Sequence, residues 1–247
     1  MKRILVIAGT DSSGGAGLTR DSAVARDFGC IVLPVVTAVT AQSDGAVQSI
    51  QPMSCAMVSQ QIQSALDGGQ VDAVKVGMLG TGDIAERVAA ILDDIAAPVV
   101  IDPVLMSTSG TALIDNGLPA RLVACADVLT PNLPEAAVLT GCAPVMTFEN
   151  ISAQAQSLLN LGAGAVLIKG GHADDATCTD HLFQKSGHQP FTGLRLSVQK
   201  RGTGCTLATA IACELAAGKT IAEACKRAKA YVADWLEGQG PPPFTRE

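Results

Sequence analysis

The chain of 247 residues fits one large domain or two small ones, and it can bury a core without disulfide or metal staples. Its 17 Lys and Arg against 23 Asp and Glu give a net charge of −6, which disfavours nucleic acid or an anionic membrane surface as a partner. Hydrophobic content of 48% with 16% charged residues excludes a disordered chain, and 3% aromatics argues against base-stacking platforms.

The opening run from Met1 to Gly9 reads as a strand at 4–8 rather than a signal peptide. No apolar run approaches the ~20 residues of a membrane helix, so a soluble, cytoplasmic protein is expected. A glycine-rich stretch then leads into a helical pattern at 15–28, a strand at 31–39 and a helix at 55–67. The segment 31–52 also looks like a strand pair around Ser43-Asp44-Gly45. Further strands are expected at 73–76, 99–102, 128–130 and 166–169, with weaker ones at 181–183 and 191–196. Helical patterns fall at 83–95, 133–140, 152–161, 205–217 and 221–236. Alternation of nearly all-apolar strands with helices predicts an α/β fold whose central, mostly parallel sheet carries helices on both faces. No linker divides the chain, so residues 1–247 are read as one domain.

In such sheets ligands bind where strands end and helices begin, and the unusual residues stand there. The run Gly9-Thr10-Asp11-Ser12-Ser13-Gly14-Gly15-Ala16-Gly17 is neither a Walker A loop, since it lacks the lysine, nor a Gly-x-Gly-x-x-Gly fingerprint. It is a backbone able to approach a ligand closely, or a plain turn. At Gly202-Thr203-Gly204-Cys205 two glycines open a small-residue helix, where converging amides and the positive dipole end suit an anion. A thiol there is expected to have a depressed pKa and to act as base or nucleophile; the alternative is an inert cysteine. Asn132 and Glu135 stand three apart at a helix start, a spacing that serves either Mg²⁺ binding or helix capping. Lys169 ends an apolar strand before Gly170-Gly171-His172 and could neutralise phosphate oxygens. Asp102 ends a strand before Pro103, with its carboxylate expected to face the site. The eight cysteines include no Cys-x-x-Cys pair, and His172, His181 and His188 match no zinc-finger spacing, so most thiols are expected to be core residues of a reducing compartment.

Taken in order, these segments resemble the ribokinase superfamily and, within it, the hydroxymethylpyrimidine/phosphomethylpyrimidine kinases of thiamine biosynthesis. The resemblance rests on the glycine stretch with Asp21, Thr40-Ala41-Gln42, Lys75-Val76-Gly77-Met78-Leu79, Asp102-Pro103-Val104, Thr130-Pro131-Asn132-Leu133-Pro134-Glu135-Ala136, Leu167 to His172, and Gly202 to Leu207. It implies a ribokinase-like fold and an ATP-dependent kinase, with Mg²⁺, acting on 4-amino-5-hydroxymethyl-2-methylpyrimidine and then on its monophosphate. By the same resemblance Gly9, Asp21, Gln42, Met78 and Val104 line the pyrimidine pocket, while Asp102, Asn132 and Glu135 belong to the Mg·ATP region. Lys169 and the Gly202, Thr203, Gly204 and Cys205 amides would hold the transferring phosphoryl group. Cys205 takes the base position at which most sugar kinases carry aspartate. The region near 31–52 is implied to serve as lid and homodimer contact. Departures occur at Ser12, at Thr19-Arg20, at Ala23 and in the ending 238–244, and they bear on substrate preference. Arg20 would meet a substrate phosphate or stay a surface arginine. Pyridoxal or pyridoxine kinase activity on the same scaffold, and a non-catalytic pyrimidine sensor, are the alternative readings.

Overall fold

A computed structural model describes residues 1–106, 110, 113–115, 117–143, 147–170, 177–198 and 200–238. The sheet grows from β1 (Arg3–Ala8), which pairs in parallel with β2 (Ile31–Val36) on one side and β5 (Ala73–Val76) on the other. Beyond β5 come β6 (Val99–Ile101), β7 (Val128–Leu129) and β8 (Ala165–Ile168), all parallel, then antiparallel β9 (Thr177–Gln184) and β10 (Gly187–Leu194). Side chains of β5, β6, β8 and of β1 after Arg3 are buried on both faces, which is why these strands are apolar but for Lys75 in β5. The mostly parallel α/β sheet expected from the sequence is what forms.

Two cores flank it. On one face pack α2 (Cys55–Asp67), α3 (Gly82–Leu92), α4 (Ala120–Ala124), α5 (Leu133–Thr140) and α6 (Phe148–Asn160), around Leu5, Ile7, Val76, Ile101 and Leu158. On the other lie α1 (Gly17–Asp27), α7 (Thr203–Ala216) and α8 (Ile221–Leu236), around Ile4, Val6, Val100, Leu167 and Ile211.

The expected strand at 31–39 is instead two strands. Buried Thr37 donates its hydroxyl to the Met78 carbonyl (2.6 Å), and the chain leaves the main sheet there. β3 (Ala38–Gln42) and β4 (Val47–Pro52) then form a separate antiparallel hairpin, the strand pair anticipated around Ser43-Asp44-Gly45. Among the described residues no helix is long and apolar enough to cross a membrane.

Candidate active site

Five parallel strands deliver residues to one edge of the sheet. Gly9 follows β1, Gly77-Met78 follow β5, Asp102 follows β6, Asn132 follows β7, and Lys169 follows β8, bridged to Asn132. Above them stand the N-termini of α1 and α7. Helices α2, α3, α5, α6 and α8 start with a side-chain cap from Ser54, Thr81, Asn132, Thr147 and Thr220. The first turns of α1 and α7 have no such cap: in α1 the Gly17 N–H turns to Cys205 and the Leu18 N–H to the Gly9 carbonyl (3.1 Å), whereas the leading amides of α7 have no capping side chain.

Gly202 begins α7 in the left-handed region (φ 77°), and a β-carbon there would run into the Gly15 carbonyl. Gly204 has ordinary helical geometry but no room. Its β-carbon would lie 3.0 Å from Asp102 Oδ2 and 3.5 Å from Lys169 Nζ. The two glycines therefore let the α7 amides approach the lysine and aspartate that end β8 and β6.

Lys169 Nζ donates to Asp102 Oδ1 at 3.0 Å and lies 3.7 Å from Glu135 Oε2. Burial alone would push this ammonium down, but Asp102 and Glu135 outweigh it and hold the lysine charged. Burial pushes the Glu135 carboxyl up, against the pull of Lys169. Glu135 also closes a capping box: its carboxylate accepts from Asn132 N–H, and the Asn132 side chain accepts from Glu135 N–H, each at 2.8 Å. Capping is thus the role the geometry shows for Asn132, whose side-chain oxygen is engaged by the helix. Glu135 serves both cap and lysine.

Cys205 corrects the expectation of an acidic thiol. Burial pushes it up to about 11, with Asp21 and Asp102 adding to the rise; Lys75 and a hydrogen bond from the Gly17 N–H pull only partly against this. The helix terminus is real, but desolvation and two carboxylates outweigh it.

Asp21 needs a second correction. It is fully buried and exposes nothing to a pocket. Both carboxylate oxygens accept from Lys75 Nζ, at 2.8 and 2.9 Å, and Thr209 donates to one of them at 2.8 Å. Lys75 is itself fully buried; Asp21, Cys205 and Asp102 overcome its desolvation and keep it an ammonium. The pair is a buried ion pair whose charges act on Cys205 in opposite senses.

The other pocket residues fall at the site edge. Gly9 packs so tightly that a β-carbon would lie 3.0 Å from the Met78 sulfur and 3.4 Å from the Ala38 carbonyl. Val104, half-buried, follows Asp102 in a tight turn, its N–H donating to the Asp102 carbonyl at 2.8 Å. Gln42, half-buried, rides on the hairpin, which Ser12 Oγ fastens to the glycine loop through Gln42 N–H (2.8 Å) and carbonyl (2.7 Å). Arg20 is half-buried rather than a surface arginine: its guanidinium lies 4.0 Å over the Trp235 ring and its Nε donates to Thr206 at 2.8 Å, tying α1 to α7 and α8. Gly171, His172 and residues 239–244 lie outside the described residues.

Among the described residues no three His, Cys, Asp or Glu side chains gather as a complete metal site. Asp102 and Glu135 offer hard carboxylate oxygens around Lys169, a donor set that fits a hydrated divalent cation completed by water and phosphate oxygens. Three site residues carried no role in the sequence: Lys75, Asp11 and Arg201. A lysine within the apolar strand Ala73-Val74-Lys75-Val76 was a readable signal; Asp11 and Arg201 gave none.

Comparison with known proteins gives a consistent picture. A family model described as "Phosphomethylpyrimidine kinase" matches residues 11–242. The hydroxymethylpyrimidine/phosphomethylpyrimidine kinase of Escherichia coli K12 is 38% identical over 244 residues, 96% of this chain and 92% of the relative. A structure of phosphomethylpyrimidine kinase from Clostridium difficile 630 superposes with TM-score 0.84 at 31% identity, covering 96% of this chain and all (100%) of that one. Pyridoxal kinase from Staphylococcus aureus in complex with pyridoxal superposes with TM-score 0.86 at 29% identity, covering 96% and 88%.

Proposed function

This chain belongs to the phosphomethylpyrimidine kinase family, and we propose that it phosphorylates 4-amino-5-hydroxymethyl-2-methylpyrimidine and then its monophosphate, with ATP as donor. The observation that carries the reading is Gly204, whose bare backbone brings the uncapped start of α7 against the Lys169–Asp102 pair. Amides and an ammonium facing one point are what a transferring phosphoryl group requires.

In the first step the hydroxymethyl oxygen bonds to the γ-phosphorus, the bond to the β,γ-bridging oxygen breaks, and ADP leaves. The alcohol proton passes to Cys205 Sγ in its thiolate form. The Gly202–Cys205 segment and Lys169 hold the equatorial oxygens; Gly9, Met78, Val104 and Gln42 hold the ring. Lys75 and Asp21 act beneath Cys205 and do not touch the substrate. Asp102 and Glu135 would hold Mg²⁺, which supplies charge neutralisation to the phosphate oxygens when bound. Asn132 supports Glu135 through the capping box.

The same reading makes 1–247 one catalytic unit, with the β3–β4 hairpin as its lid. It also includes a cytoplasmic location and a homodimer, supported by the family resemblance and by the exposed Val39 on β3. Pyridoxal is a second candidate substrate, favoured by the overlap with the pyridoxal-bound relative. The pyrimidine ranks first because the curated relatives at 36–38% identity carry that activity in their names. A substrate panel with ATP tests this: the pyrimidine alcohol, its monophosphate, pyridoxal and ribose. Turnover highest on the two pyrimidines supports the proposal, and turnover on pyridoxal alone overturns it.

A further inference from the structure

The residue just before the anion-binding helix reaches away from it. Arg201 bridges two segments: Nη2 donates to Asp11 Oδ2 (3.1 Å), while Nη1 donates to Ser13 Oγ (2.6 Å), the Ser43 carbonyl (2.9 Å) and Asp44 Oδ1 (3.3 Å). Asp11 is a firm anchor. It is buried, its Oδ1 accepts from Ser13 N–H and hydroxyl, and its Oδ2 also accepts from Ala16 N–H. Ser43 and Asp44 form the tip of the β3–β4 hairpin, and the Asp44 side chain is 90% exposed. Arg201 is therefore held at its glycine-loop end and releasable at its hairpin end, where a solvated ion pair adds little.

We propose that Arg201 is a positioning residue that latches the β3–β4 hairpin, and with it Gln42, over the substrate pocket. The proposal rests on the assignment of Gln42 to the pyrimidine. One end of the hairpin continues from β2, and the base of β3 is held to the glycine loop by Thr10, whose N–H donates to the Ala38 carbonyl (2.9 Å) and whose carbonyl accepts from the Thr40 hydroxyl (2.8 Å). Its tip is fastened by two contacts to the glycine loop: Ser12 with Gln42, and Arg201 with Ser43 and Asp44. The planar guanidinium is suited to this because its donors diverge toward the two segments at once; a lysine offers a single point. The position of Arg201 immediately before Gly202 joins the lid to the phosphoryl site through one backbone step.

The test compares the full-length protein with R201M and R201K by two readouts: hydrogen–deuterium exchange of residues 38–52 without substrate, and steady-state kinetics with the pyrimidine alcohol and ATP. In R201M the hairpin amides should exchange at least about fivefold faster. KM for the pyrimidine should rise about tenfold, with kcat and the ATP KM within about twofold. R201K should fall between wild type and R201M in both readouts, and it decides the matter if R201M does not fold. Unchanged hairpin exchange in a folded variant overturns the latch. So does a loss confined to kcat, which would make Arg201 a support of the anion site. If the wild type does not phosphorylate the pyrimidine, the parent reading fails while the exchange experiment still decides the latch.

Discussion

The base assigned to Cys205 can be isolated because the two phosphorylations need it unequally. The first nucleophile is an alcohol, whose proton must leave. The second is a phosphate monoester oxygen, already anionic at neutral pH because its second pKa is about 6. With the thiol pushed up to about 11, roughly 10⁻⁴ of the enzyme carries thiolate at pH 7 and roughly 10⁻² at pH 9. For the alcohol, kcat/KM should therefore climb about tenfold per pH unit over this range, since it reports groups of the free enzyme. For the monophosphate it should stay nearly flat. Cys205→Ala should lower kcat on the alcohol by about 10²–10⁴-fold, abolish the pH slope, and leave the second step within about threefold. The assay is ADP release on each substrate separately between pH 6.5 and 9 (a range of about 2.5 units). Equal losses on both substrates, or an alanine variant that turns over the alcohol at the wild-type rate, would refute the assignment.

Gly204→Val should cut kcat by about 10²-fold or more, because its β-carbon would crowd Asp102 Oδ2 at 3.0 Å; the ordinary helical backbone there should leave the melting temperature nearly unchanged, and normal turnover in a folded variant counts against the anion site. Glu135→Gln keeps an oxygen for the Asn132 amide but removes the charge beside Lys169, so a magnesium titration should show a raised requirement at unchanged thermal stability. The opposite pattern, lower stability at unchanged magnesium dependence, would leave Glu135 a cap only. Asp21→Asn strands the Lys75 charge in the core and should cost about 3–5 kcal/mol in urea denaturation. A stable Asp21→Asn protein with only a raised pyrimidine KM would restore Asp21 to the pocket wall.

Local pattern made much of this legible. The helix at 55–67 begins where expected because Ser54 caps it, and the buried strands β6 and β8 announced themselves as unbroken apolar runs. The five-residue α4 escaped because one turn and a half carries no period. The break at Thr37 depends on a hydrogen bond to Met78, 41 positions away. Site residues follow the same division. The glycines before Cys205 signalled an uncapped helix start through adjacent sequence alone. Asp21 and Lys75, 54 positions apart, gave no sign of being each other's partner. The Cys205 thiol was misjudged for a related reason: sequence displays the helix end, whereas the Asp21 and Asp102 carboxylates that oppose it arrive through the fold.

The two halves of the proposed phosphate site differ in readiness. The amides at the start of α7 have no side-chain cap to displace, so they are available in the empty protein. Lys169 is not, since Asp102 holds it at 3.0 Å and Glu135 stands at 3.7 Å. An incoming triphosphate would have to share the lysine with these carboxylates. That leaves buried negative charge beside phosphate oxygens, a costly arrangement at low dielectric. A divalent cation held by Asp102 and Glu135 would remove the cost by compensating the carboxylates and the nucleotide together. The acidic pair thus does more than support a cap. On the proposed function it would also make productive nucleotide binding depend on the metal, with the lysine paired until both arrive.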